Sequence, residues 1–151
     1  THDYLGGGAN PSQWWLVRLT HPNRLLSLCI GISPDGWSSV GDSVYFNFAG
    51  GRGGRMRIVV SRAAAGTAPT SPIQVIVSRL RIDSHAYPEA GHVLRRIDGT
   101  ITGGQTHVYS VPAPADRFVV QVIVDRKFVP GNGDERELGA QVSYTYVPKD
   151  G

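Results

Sequence analysis

The sequence predicts an all-β fold, an antiparallel β-sandwich of about eight strands, and three observations carry that expectation. Apolar residues recur at every second position in one segment after another, which sets them on one face of a pleated strand. Turn signals return about every 8–12 residues, the spacing of a sandwich. No stretch keeps a helical period; the best short candidate, Ala63-Ala64-Ala65, is hemmed in by glycine and proline. Nineteen glycines and ten prolines in 151 residues fit short strands joined by many turns.

Residues 1–13, with Gly6-Gly7-Gly8, are expected to form a flexible lead-in, and residues 14–151 a single sandwich domain. Trp14–Thr20 is the first strand, with Trp15, Val17 and Leu19 on one face, and Pro22-Asn23 turns the chain. Leu26, Leu28, Ile30 and Ile32 then alternate with Ser27, Cys29 and Gly31. Ser33-Pro34-Asp35-Gly36 is a turn in which proline presets φ and glycine accepts a positive one. Val44, Phe46 and Phe48 alternate with Tyr45 and Asn47, and residues 49–54 read as a hairpin tip that returns the chain through Met56, Ile58 and Val60.

Residues 63–71 form a loop of small residues. Across residues 72–83 the apolar phase changes, from Ile73, Val75 and Val77 to Leu80 and Ile82, as at a β-bulge or a break between strands. Residues 92–97 and 107–111 are further strands, with turns expected at Asp98-Gly99 and Gly103-Gly104. The last third reads as a sandwich edge with a polar loop. The apolar strand Phe118–Val124 leads into that loop, and a final strand follows in which Val142, Tyr144 and Tyr146 alternate with Gln141, Ser143 and Thr145.

Composition narrows the function classes. Hydrophobic residues at 40% and charged residues at 18% describe a globular chain with a core rather than a disordered one. No apolar run approaches the ~18 residues of a membrane-spanning helix, and no signal-peptide pattern is visible. The net charge is +3, and all but two of the 15 basic residues are arginine. That surplus points mildly toward an acidic phospholipid surface and does not call for a specific nucleic acid. The single cysteine, Cys29, excludes an internal disulfide and a multi-cysteine metal site.

Each candidate for chemistry has a plainer reading beside it. Cys29 lies mid-strand between Leu28 and Ile30, the setting of a packed thiol rather than an activated nucleophile. The five histidines form neither an HxH nor an HExxH pattern, and no catalytic elbow or phosphate loop is present. Asp134, Glu135 and Glu137 share one loop, which reads as solvated or, with Asp35, Asp42 or Asp125, as a Ca²⁺ site. No other cofactor is implied. Arg52, Arg55 and Arg57, around Gly50–Gly54, form a basic tip suited to phosphate headgroups. Trp14 and Trp37 are the candidates for a sugar-stacking platform, because Trp15, on the opposite face from Trp14, is assigned to the core.

Two stretches resemble the C2-like β-sandwich that follows the protease core in calpains. At the front, Gly6-Gly7-Gly8 precedes Trp14-Trp15 and Leu16-Val17-Arg18-Leu19, and then His21-Pro22-Asn23-Arg24-Leu25-Leu26. At the back, Val111-Pro112-Ala113-Pro114 precedes residues 117–122, then Phe128-Val129-Pro130-Gly131-Asn132 and residues 138–144. The Asn-Pro-Gln after that family's tryptophan and its long acidic loop are both absent. The resemblance implies a C2-like or jelly-roll-like sandwich without catalysis, acting as a regulatory or interaction module. It would bind acidic phospholipid through Arg52, Arg55 and Arg57, or a protein partner, in a cytoplasmic or membrane-peripheral setting. The other reading is a carbohydrate-binding or accessory sandwich of a secreted bacterial hydrolase or peptidase.

Overall fold

The computed structural model describes residues 2–6, 14–20, 24–39, 42–50 and 53–149, with side chains for 27–38, 42–50 and 53–149. Among these residues there is no helix. Eleven strands among the described residues form two antiparallel sheets. They are β1 (His2–Gly6), β2 (Trp14–Thr20), β3 (Arg24–Ile30), β4 (Trp37–Ser39), β5 (Asp42–Asn47), β6 (Gly54–Ser61), β7 (Ser71–Ile82), β8 (Pro88–Ile101), β9 (Thr106–Ala113), β10 (Phe118–Val124) and β11 (Leu138–Pro148). The larger sheet has the order β1-β2-β3-β5-β10-β7-β8 and the smaller the order β4-β11-β6-β9.

The expected sandwich is therefore present, with β1 and β4 added to the strands read from the sequence. Within the expected lead-in, His2–Gly6 pairs along β2 from His2↔Arg18 to Gly6↔Trp14. Two expected turns are corrected. Residues 49–54 do not close a hairpin, because β5 lies in the large sheet and β6 in the small one; the segment carries the chain across the core. Asp98-Gly99 does not turn either. It continues β8 opposite Gln74 and Ile73. The last third is not an edge unit, since β10 sits between β5 and β7 while β11 sits between β4 and β6. The phase change in residues 72–83 is a bulge, seen as register shifts between Val77 and Leu80 within one continuous strand.

The core lies between the sheets. Met56, Ile58 and Val60 of β6 and Ile73, Val75 and Val77 of β7 are closed to solvent, with Phe118, Val120 and Val122 of β10 and Val142 of β11. Tyr45 stacks on Tyr144 at 5.5 Å between centroids, and Phe118 meets Tyr146 edge-on at 5.7 Å. Inward-facing polar groups on β5 are satisfied: the Tyr144 hydroxyl lies 2.7 Å from Ser43 Oγ, and Asn47 donates to the Tyr45 hydroxyl at 3.2 Å. The opposite face of the large sheet is also apolar. Leu28, Phe46 and Val119 are paired neighbours across β3, β5 and β10, and all three are buried. A strand buried on both faces shows a near-continuous apolar run, as in Phe118–Val124, where Gln121 is the one polar residue.

One end of the sandwich is held by a buried guanidinium. Arg62 follows β6, is fully buried, and has no carboxylate partner among the described residues. Its Nε donates to the Gly139 carbonyl at 2.9 Å, and its two terminal nitrogens donate to the carbonyls of Pro69 and Arg126. Its planar fork lets one side chain bond acceptors in three directions. Phe128 lies under the guanidinium, 5.2 Å from its carbon to the ring centroid, and Trp37 packs edge-on against Phe128 at 5.6 Å. The 102–105 turn joins the same end. Arg62 N donates to the Gln105 carbonyl and Gly104 N to the Arg62 carbonyl, both at 2.8 Å. Gly103 is packed so closely that an added Cβ would lie 2.7 Å from the carbonyl oxygens of Ala65, Gly66 and Ala68.

Replacing Arg62 by leucine leaves three carbonyls without their donor. Each buried group left unsatisfied costs about 1–3 kcal/mol, so the variant is expected to lose at least ~3 kcal/mol in urea denaturation. Arg62→Lys is expected to recover only part of this loss, because a point ammonium lacks the fork. Stability within ~1 kcal/mol of the parent in both variants would refute the role of this residue.

Candidate functional site

The strands define two unlike ends. At the Arg62 end lie the turn 31–36 and the loops 62–70, 102–105 and 125–137. At the other end lie the crossover out of β5, the start of β6, the link 114–117 and the end of β11. The candidate acidic residues fall at the first end, and of the candidate arginines Arg55 lies at the second.

The Asp134 loop is closed by an internal cation. Arg136 binds Asp134 through Nε at 3.0 Å and through a terminal nitrogen at 2.8 Å, and the same terminal nitrogen reaches Asp35 at 2.7 Å. The space between the two carboxylates thus holds a guanidinium. Glu135 and Glu137 are exposed, and no three metal-ligating side chains gather among the described residues. The hydrogen bond from Arg136 holds the Asp35 carboxyl below its ordinary range, and the same guanidinium lowers Asp134. Burial raises Asp42 at this end, and the nearby Lys127 partly offsets that.

Trp37 is 8% exposed, and its ring is engaged by Phe128; it offers no open face for a sugar. Trp14 belongs to β2, and its side chain lies outside the described residues. Cys29 faces the inter-sheet core in the row Cys29–Tyr45–Val120. It is buried, and burial pushes its thiol up to about 12. A thiol that stays protonated near neutral pH is a poor nucleophile.

The second end is basic and open. A cleft of about 570 Å³ is lined by Gly53, Gly54, Arg55, Ala113, Ala115, Val147, Pro148 and Lys149. Among the described residues its charged groups are Arg55 and Lys149, and none of them brings a carboxylate to the lining. Arg55 Nε donates to Ser110 Oγ at 2.8 Å, and a terminal nitrogen donates to the Ser110 carbonyl at 2.9 Å, so the guanidinium is anchored on β9. Arg57 is exposed two residues further along the same face, opposite Ser110 and Thr145. Arg52 lies outside the described residues. Arg117 borders the crossover, where Gly50 would bring an added Cβ within 3.3 Å of its backbone nitrogen. The carboxylate of Asp116 lies 4.0 Å from Arg79.

Backbone packing shapes the floor of the cleft. Gly54 has φ +121°, and a Cβ there would collide with the Val147 carbonyl and lie 2.8 Å from Lys149 N. Lys149 N donates to the Gly53 carbonyl at 3.3 Å, and the Tyr146 hydroxyl donates to the same carbonyl. The cleft therefore depends on glycine at its base. Lys149 and Arg117 were missed in the sequence because they come from strand ends far from Arg55 along the chain.

No family model, curated protein or solved structure matches this chain.

The contact between Arg136 and its two carboxylates sets a pH dependence. Both carboxyls have folded pKa values below their unfolded ones. Their stabilising contribution is therefore complete above the ordinary carboxylate range and is lost as pH falls through the depressed folded values. In an NMR titration the Asp35 carboxyl is expected to titrate below an ordinary aspartate and to return to the ordinary range in Arg136→Gln. An unshifted Asp35 in the parent would contradict the pairing.

Proposed function

We propose that this chain is a non-catalytic β-sandwich interaction module that docks on an acidic phospholipid surface through its basic end. The cleft between β6, β9 and β11 supports this reading: among the described residues its lining charges are cationic, and it opens at one end of the sandwich. Arg55 and Lys149 would meet the headgroups, with Arg57 and Arg117 alongside; Arg52 stands three residues before Arg55 in the sequence. The inert thiol and the guanidinium-filled acidic loop favour binding over catalysis. The C2-like regulatory role expected from the calpain resemblance fits the same surface and rests on it.

The docking would be weak and sensitive to salt. Each basic residue near an anionic surface contributes about 1 kcal/mol, and the attraction falls off within a Debye length. Co-sedimentation is expected to show retention on vesicles rich in phosphatidylserine, loss at high salt, and little retention on neutral vesicles. Arg55→Ala combined with Lys149→Ala is expected to reduce retention severalfold at low salt. Unchanged retention by that variant, or equal retention on neutral vesicles, would overturn the assignment; retention of a protein partner instead would redirect it.

A further inference from the structure

β8 is the outermost strand of the large sheet, paired with β7 on one side and with no other strand among the described residues. It is also the longest strand among the described residues, and His92, Val93, Leu94, Arg95 and Arg96 are all exposed. An edge of this kind presents unpaired backbone donors and acceptors to another strand. The bulge opposite Ser78 breaks the ladder near Leu94, but from Arg95 to Ile101 the pairing with β7 is regular.

This regular stretch is complementary to itself. Its sequence, Arg95-Arg96-Ile97-Asp98-Gly99, places a cation and an anion one residue either side of Ile97. Arg96 and Asp98 share a face, opposite Ile76 and Gln74 on the outer side of the sheet. Both are exposed, and Asp98 uses one carboxylate oxygen to accept from Gln74 Nε2 at 3.1 Å. Arg96 makes no ion pair among the described residues. Ile97 lies on the other face, against the inter-sheet core but only partly covered.

We infer that two copies of this chain pair edge to edge through antiparallel β8 strands centred on Ile97. A two-fold axis at Ile97 sets Arg96 of each copy opposite Asp98 of the other. Opposite charges directly across a ladder attract, and like charges repel. The same axis brings the two Ile97 side chains together on the core side. It sets Arg95 opposite Gly99 of the other copy, where no side chain competes for space. The contact is isologous and closes at two subunits. No other register sets both Arg96 and Asp98 opposite the other's opposite charge.

Sedimentation equilibrium of the full chain tests this with substitutions at two exposed positions. The parent is expected to dimerise at high micromolar concentration. Arg96→Asp alone sets two aspartates face to face, and Asp98→Arg alone sets two arginines face to face. Each is expected to raise the dissociation constant on the order of tenfold or more. The double exchange, Arg96→Asp with Asp98→Arg, is expected to restore the dimer. Mixing the two single variants is expected to yield a heterodimer, because both cross-strand pairs are then opposite in sign. A monomeric parent, or a dimer indifferent to both single reversals, would overturn the proposal.

Discussion

The buried guanidinium of Arg62 is the interaction on which the rest of the structure depends. Neighbouring strands in sequence mostly lie in different sheets, so the chain must cross the core repeatedly, and each crossing brings backbone polar groups to the ends of the sandwich. At one end, Arg62 gathers the loop after β6, the link after β10 and the start of β11 onto one side chain. Burial lowers its pKa somewhat, yet carbonyl dipoles rather than a carboxylate surround it. A lone buried charge is costly unless it is hydrogen-bonded. Here the bonding is to backbone, so the cation sets the positions of three chain segments at once.

With that end closed, the other can remain open. Loops at the Arg62 end are tied by further bonds: Arg126 N to Ser71 Oγ at 2.7 Å, and Phe128 and Leu138 in mutual backbone pairing. The Arg136 pairing with Asp35 and Asp134 fastens the outermost loop to the turn before β4. At the opposite end β6 and β11 pack closely at Gly54, and Arg55 and Lys149 from their two ends line one cleft. The division of charge follows from topology, since alternate strand ends collect at each pole of the sandwich.

Much of the fold was legible because a period of two is a local signal. The alternation in residues 26–32, 44–48 and 55–60 marked strands, and the phase change after Val77 marked the bulge. Local signals do not say which strand pairs with which. The glycines of 49–54 suit a tight hairpin and a crossover equally well; their positive φ values at Gly50, Gly53 and Gly54 serve the crossover. Nor could alternation reveal that Leu28, Phe46 and Val119 face away from the small sheet, because both faces of those strands are buried. Arg62 had the pattern of a surface arginine at a strand end. Its burial comes from Pro69, Arg126 and Gly139, and the last two lie far along the chain. Arg55 was visible as a candidate, but Lys149 joins it only through the pairing of β6 with β11.

The central claim is that the basic end is the working surface and the Arg62 end is the frame. Hydrogen-exchange mass spectrometry of the full chain, with and without vesicles rich in phosphatidylserine, addresses it most directly. The account predicts added protection in peptides from the start of β6, the 114–117 link and the end of β11, and none in 62–70 or 125–137. Protection confined to the Arg62 end, or spread evenly over both ends, would contradict it.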